Sequence, residues 1–191
     1  MSLIAPLFLA ALANPALANV SLRAGVTTYA PNSPFTVAVH VKLQPGWHTY
    51  WMNPGDSGMP SRVNWTLPKG WKASELRFPT PEQFSANDFM TYGYHDEAVF
   101  LATITPGAEA PATAQIRADV RILVCDESCI PFNGSATINV RKGSEAAENS
   151  SNAKFIQEWE QRVPQPLKTP GTIAFAKEAL TWTLPAATAP K

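Results

Sequence analysis

The sequence predicts an all-β protein: an immunoglobulin-like antiparallel β-sandwich with a short C-terminal helix and extension. Three observations predict it. Between Asn19 and Arg141 apolar residues recur at every second position in about seven or eight short stretches. Turn-forming residues separate those stretches, drawn from 18 Pro and 10 Gly. No stretch of helical period lies between them, which excludes the alternation of strand and helix that builds a parallel sheet.

The elements follow in order. The opening residues, MSLIAPLFLAALANPALAN, read as an export signal. Leu3 to Leu12 is an apolar run of signal length, too short to span a bilayer. Pro6 and Pro15 make it a poor buried helix. Ala16-Leu17-Ala18 is a small-x-small cleavage site, so residues 1–18 form the signal peptide and the mature chain starts near Asn19. No Lys or Arg precedes the run, so the amino terminus alone supplies its positive charge. Export places the rest in an oxidising compartment that permits disulfides.

Residues 19–143 form the sandwich. Phe35, Val37, Val39, Val41 and Leu43 alternate with Thr36, Ala38, His40 and Lys42, a half-buried strand that Pro45-Gly46 ends. WHTYW (Trp47 to Trp51) leads into the turn-rich NPGDSGMP. That stretch lacks the full ligand pattern of a calcium loop and is no phosphate loop, so turn chemistry accounts for it. Asp56 within it is placed to orient a loop amide. Val63, Trp65 and Leu67 mark a strand closed by Pro68-Lys69-Gly70, and Val99 to Thr105 marks another. Ile116, Ala118, Val120, Ile122 and Val124 line one face of a long strand that runs into Cys125; Ala136, Ile138 and Val140 mark the next. The rings of Trp47, Tyr50, Trp51, Trp65 and Trp71 serve mainly core and strand-edge packing, with a minority left to face a partner.

Residues 144–170 are a polar linker, GSEAAENSSN, and a short helix. Asn152 is its predicted cap; Phe155, Ile156, Trp159 and Val163 form its apolar face, and Pro164 and Pro166 stop it. Residues 171–191 carry strand material, TIAFAKEALTWTL, as an extension or the start of a truncated second domain. Charge excludes one class of function. The 15 basic and 15 acidic residues balance, and no basic block offers a nucleic-acid footprint.

The chemistry rests on LVCDESCIPF, which holds the only two cysteines, Cys125 and Cys129. Residues four apart on an extended strand lie about 13 Å apart, and a disulfide needs Cα atoms within roughly 7 Å. If the sulfurs bond, the strand ends at Cys125 and the chain turns through Asp126 and Ser128, with Pro131 discouraging ladder pairing beyond. As a structural staple such a bridge contributes little, about 2 kcal/mol for a five-residue loop. As a metal clip it needs help from His40, His48 or His95, which are scattered, so no metal or other cofactor is assigned. As a redox pair it fits a short, exposed, reversible dithiol. Asp126 and Glu127 disfavour the thiolate by like-charge repulsion, which destabilises the reduced form and makes the pair an electron donor. Cys129, across the turn, is the expected nucleophile, because Cys125 ends a regular strand and is the more buried.

Three ordered motifs then carry a resemblance. GWHTYWMNPGDSGMPSRVNWTLPKGW (Gly46 to Trp71), YGYHDEAVFL (Tyr92 to Leu101) and LVCDESCIPF resemble the N-terminal domain of the DsbD-type thiol–disulfide interchange proteins, over about Val26 to Val140. The resemblance implies an immunoglobulin-like fold in the periplasm, with Cys125 and Cys129 as a redox-active disulfide. It implies a thioredoxin-like electron donor fed through a transmembrane relay. It implies disulfide-bearing envelope acceptors such as disulfide isomerases, cytochrome-maturation proteins or peroxide-handling proteins. It also implies a cap loop over Asn87 to Tyr94, with Phe89, Tyr92 and Tyr94 as shielding residues. The chain carries neither the multi-span relay nor the thioredoxin domain of full-length members, and its short cysteine spacing belongs to a broader branch, part of it linked to copper tolerance. Two rival readings stand beside this one: a copper-binding envelope protein, and a sandwich module that binds a ligand such as sugar through exposed aromatics, with an inert disulfide.

Overall fold

A computed structural model describes residues 17–86, 89–165, 171–176 and 179–183. The export signal falls almost wholly outside the described residues. The strands are β1 (Ala18–Ala24), β2 (Val26–Tyr29), β3 (Phe35–Leu43), β4 (His48–Gly55), β5 (Arg62–Thr66), β6 (Lys72–Ala73), β7 (Glu82–Ala86), β8 (Phe89–His95), β9 (Glu97–Thr105), β10 (Thr113–Cys125), β11 (Cys129–Lys142) and β12 (Ala147–Glu148). Helix α1 (Ser150–Glu160) and the strands β13 (Thr172–Ala176) and β14 (Ala179–Thr183) are the remaining elements among the described residues.

Period-two patterning builds two sheets. One has the order β1-β3-β9-β6; the other runs β12-β2-β11-β10-β4-β8-β7, with β5 also paired to β10. Their inner faces meet in one core. From β3 come Val37, Val39 and Val41, from β9 Ala98, Phe100 and Ile104, and from β10 Ile116, Ala118, Val120, Ile122 and Val124. This is the β10 face that alternation predicts. Burying each larger side chain of this kind contributes about 1.5–3 kcal/mol.

β9 is buried on both faces, which explains its unbroken apolar run. Its odd residues Val99 and Leu101, with Ala38 of β3, form a second cluster under Ile156, Trp159 and Val163. Helix α1 is thus a strap over the outer side of the smaller sheet. Phe155 flanks it, stacked under the Arg23 guanidinium at 4.2 Å.

The structure corrects three expectations. The helix cap is Asn149, not Asn152: Asn149 has extended backbone, and its side chain accepts the Asn152 N–H at 3.3 Å. Asn152 already lies inside the first turn, and its own amide donates to the Ala24 carbonyl at 2.9 Å, tying helix to β1. Pro131 does not end the ladder; it pairs with Leu123 inside β11. On its far side β11 is paired by β2 only at Arg141 and Lys142, so Pro131 occupies an edge, where proline is tolerated. The segment expected as a cap loop is mostly strand: Phe89–His95 is β8, paired with β7 and β4, while Asn87 and Asp88 lie outside the described residues.

The strand material after the helix forms a two-stranded sheet of its own, β13 with β14. Its cross-strand pairs Ile173–Trp182 and Phe175–Leu180 are all exposed.

Replacing Trp159 by Ala should remove the main cover over Val99 and Leu101 and cost about 3–5 kcal/mol in denaturant unfolding, whereas Asn149→Ala should cost about 1 kcal/mol.

Candidate functional site

The two cysteines close the longest hairpin in the described chain. β10 and β11 pair in unbroken register from Thr113↔Arg141 to Cys125↔Cys129. The last pair is covalent, with S–S 2.07 Å and Cα–Cα 4.2 Å. Asp126, Glu127 and Ser128 make the turn, closed by the Asp126 N–H donating to the Ser128 carbonyl at 3.3 Å. Inner residues of β10 are even-numbered, so Cys125 and its partner Cys129 point to the outer face of the larger sheet. The two differ in access even so. Cys125 is 1% exposed, while Cys129 and the three turn residues are exposed.

Tyr50 covers Cys125. Its hydroxyl donates to Cys125 Sγ at 3.4 Å and lies 3.7 Å from Cys129 Sγ. Burial pushes the phenol up from its ordinary value of 10, so it keeps its proton and remains a donor. β4 is fixed here from several sides. The Ser61 hydroxyl donates to the Tyr50 carbonyl at 2.7 Å, and the Thr49 hydroxyl donates to the Leu123 carbonyl at 2.9 Å. Gly93 lies so close to β4 that a Cβ there would stand 2.0 Å from the Thr49 oxygen.

The turn-rich stretch after β4 acts as a latch. The Asp56 N–H donates to the Met90 carbonyl at 2.9 Å, and the Met90 N–H donates to Asp56 Oδ2 at 2.8 Å. Asp56 therefore does orient a backbone amide, and that amide belongs to β8. The latch lays Gly58, at φ +103°, against the Tyr50 ring, where a Cβ would come within 2.4 Å. Only glycine permits both this φ and this approach.

A row of side chains continues across the sheet. Cys129, Cys125, His48 and His95 are successive partners on β11, β10, β4 and β8, so all four share the outer face. The His48 ring lies 5.4 Å from Tyr50, 5.1 Å from Phe84 and 5.7 Å from His95, centroid to centroid. His95 Nδ1 is 3.0 Å from Glu82 Oε2. Burial and the charge of His95 hold His48 below the ordinary 6.5, and Asp126 opposes them.

The expected shielding residues are dispersed. Tyr94 belongs to the inner core, its hydroxyl donating to the Pro79 carbonyl at 2.8 Å and its ring edge-on to Phe100. Tyr92 shares the Tyr94 face of β8 by alternation. Phe89 shares the face of Gly93 and His95, and is 54% exposed. The ring that touches the sulfurs is Tyr50, one of the rings the sequence assigned to packing. Its visible signal was the alternation of His48 and Tyr50 opposite Trp47, Thr49 and Trp51. Of the three histidines, His40 lies on the other sheet against Glu97 at 2.8 Å. No group of three or more His, Cys, Asp or Glu is gathered to hold a metal among the described residues.

Comparison with known proteins places this geometry. No curated protein matches the chain in sequence. The crystal structure of the N-terminal periplasmic domain of ScsB from Proteus mirabilis is similar at TM-score 0.53 and 22% identity, over 86% of this chain. This chain spans 61% of that structure. The N-terminal domain of Neisseria meningitidis DsbD, in its reduced form, matches at TM-score 0.40 and 11% identity, over 68% of this chain and 90% of that one. No helix among the described residues is long and apolar enough to cross a membrane. Residues 19–140 match the family described as thiol:disulfide interchange protein DsbD, N-terminal, a span that runs from β1 through the cysteine hairpin into β11. The chain belongs to the family of DsbD N-terminal domains.

Proposed function

We propose that this chain is a periplasmic thiol–disulfide exchange domain, the working part of a protein-disulfide reductase. In this reading Cys125 and Cys129 take electrons from a thioredoxin-like donor, itself fed by a membrane relay, and pass them to disulfides of envelope proteins. The observation that carries it is the placement of the bridge. It joins directly opposed residues at the turn end of a hairpin that 13-residue β10 already holds in register. A staple there adds about 2 kcal/mol at most; a reactive bond there has an exposed sulfur and a covered one.

The difference in access assigns the roles. A donor thiolate reaches Cys129 Sγ, and the S–S bond breaks. Cys125 Sγ leaves with the electron pair, and the Tyr50 hydroxyl, already 3.4 Å away, donates to the new thiolate. The donor's second thiol then attacks the donor sulfur of the mixed disulfide and releases Cys129 as a thiolate. In the reductive half that thiolate attacks the acceptor disulfide, and Cys125 then attacks Cys129 and releases the reduced acceptor. A groove on the same outer face begins one row away, lined by Met59, Pro60, Arg62, Arg121, Leu123 and Pro131. It gives a partner polypeptide apolar contact beside the sulfurs. Tyr50 is the shield in this account. The exposed acids Asp126 and Glu127 favour the electron-donating direction. The family assignment supports the periplasmic setting, and the signal-like opening residues agree with it.

Cys125→Ser should leave Cys129 able to trap a thioredoxin-like partner as a stable mixed disulfide, seen on non-reducing gels, and Cys129→Ser should trap far less. Equal trapping by both would contradict the assignment of roles. Tyr50→Phe removes one hydrogen bond to a charged leaving group and should slow reduction by a small dithiol about tenfold. Gly58→Ala, which pushes on the same ring, should change the rate in stopped-flow measurements while the far-UV spectrum stays that of the wild type.

A further inference from the structure

We propose that His48, oriented by its neighbours on β8 and β7, is the proton acceptor and donor for the Cys125 sulfur. This rests on the exchange reading and deepens it, because it names a residue that the cysteine motif does not contain. Directly opposed residues of an antiparallel pair share a face with Cβ atoms about 4.5–5.5 Å apart. His48 stands in that relation to Cys125 on one side and to His95 on the other. Cys125 is nearly sealed from solvent, so water is a poor source or sink for its proton. Tyr50 keeps its own proton and cannot serve as the base. His48 is half-buried on the same face, with its ring against Tyr50.

The proton is needed at one step. When the acceptor is held as a mixed disulfide on Cys129, Cys125 is a thiol. His48 takes its proton, Cys125 Sγ attacks Cys129 Sγ, the intramolecular S–S bond forms, and the bond to the acceptor breaks. The acceptor sulfur leaves with the electron pair and takes the proton from His48. Two electrons and two protons pass from the dithiol to the acceptor disulfide over the whole cycle. On reduction by the donor the same residue returns a proton to the departing Cys125 thiolate.

The surrounding charges suit this use. From β8 and β7 His48 meets His95, itself bonded to Glu82. Asp126 acts on it from the hairpin tip, and Tyr50 adjoins it on its own strand. Asp96, after β8, binds the turn before β4 through the Gly46 N–H at 2.7 Å. Burial and His95 keep the imidazole neutral near pH 7 while the disulfide is closed, which leaves it free to accept. A thiolate formed in the next position then holds the proton on the ring.

The test uses the full chain in two measurements. In Cys129→Ser, the rate of Cys125 alkylation by iodoacetamide is followed against pH, with and without His48→Gln. His48 should let the thiolate form below the ordinary thiol value of about 8.5, and its loss should slow alkylation about tenfold at pH 7. In the unaltered protein, the His48 imidazole signals are titrated by NMR before and after reduction. Reduction should move the His48 midpoint to higher pH. Superimposable alkylation profiles, or a midpoint indifferent to reduction, would overturn the proposal. A disulfide that resists every dithiol in the folded protein would overturn the exchange reading and this proposal together. A disulfide that opens normally but ignores His48→Gln would remove the proton role alone.

Discussion

The β10–β11 ladder is the constraint on which the rest depends. Its unbroken register delivers Cys125 and Cys129 to the same height at the hairpin tip. It also fixes which face they occupy. The even residues of β10 fill the sandwich core, so the odd ones, Cys125 among them, must turn outward. A slip of one residue would send Cys125 into the core and Val124 to the surface. Core packing and sulfur presentation are therefore one specification, and the energy that holds the register is the apolar burial between the sheets.

Around that fixed point the protein has arranged unequal access to two equivalent sulfurs. β4 meets the end of β10 at the single pair Cys125↔His48, and Tyr50 lies over the buried sulfur. The turn at Asp56 and Gly58 holds Tyr50 in place by engaging Met90 on β8. Cover over Cys125 thus depends on a contact between two segments that are distant in sequence. Movement of the β7–β8 hairpin would be felt at the Tyr50 ring through Asp56. Helix α1 straps the opposite sheet and takes no part in this, which explains why it matters to stability and not to the sulfurs.

Much of the fold was legible because it is written in local period. The alternation of Phe35 to Leu43 and of Ile116 to Val124 identified the strands and their buried faces, and the spacing of Ile156, Trp159 and Val163 identified the strap. The sulfur pair was legible as a turn problem, since four residues cannot otherwise bring two Cα atoms within bonding range. What the sequence hid was non-local. Tyr50 and His48 reach Cys125 only because β4 pairs with β10 at a separation of 75 residues or more along the chain, and no local pattern announces that pairing. Tyr94 carries no local mark of its direction, because an aromatic in a motif looks the same whether its strand turns it inward, as here, or outward. Asn149 and Asn152 are equally good caps by type, and the choice between them rests on where the chain leaves β12. Pro131 argued against pairing only while its strand was taken to have neighbours on both sides.

One measurement tests the central claim most directly: an equilibrium redox titration of the folded chain, with the thiols quantified by mass and the fold followed by circular dichroism. The account predicts that the bridge between Cys125 and Cys129 opens and closes reversibly in a single two-electron step while the sandwich stays folded, at a potential well below the roughly −120 mV of a strong oxidant. A bridge that yields to reductant only after the protein unfolds would contradict it, and so would a potential as high as that oxidant's.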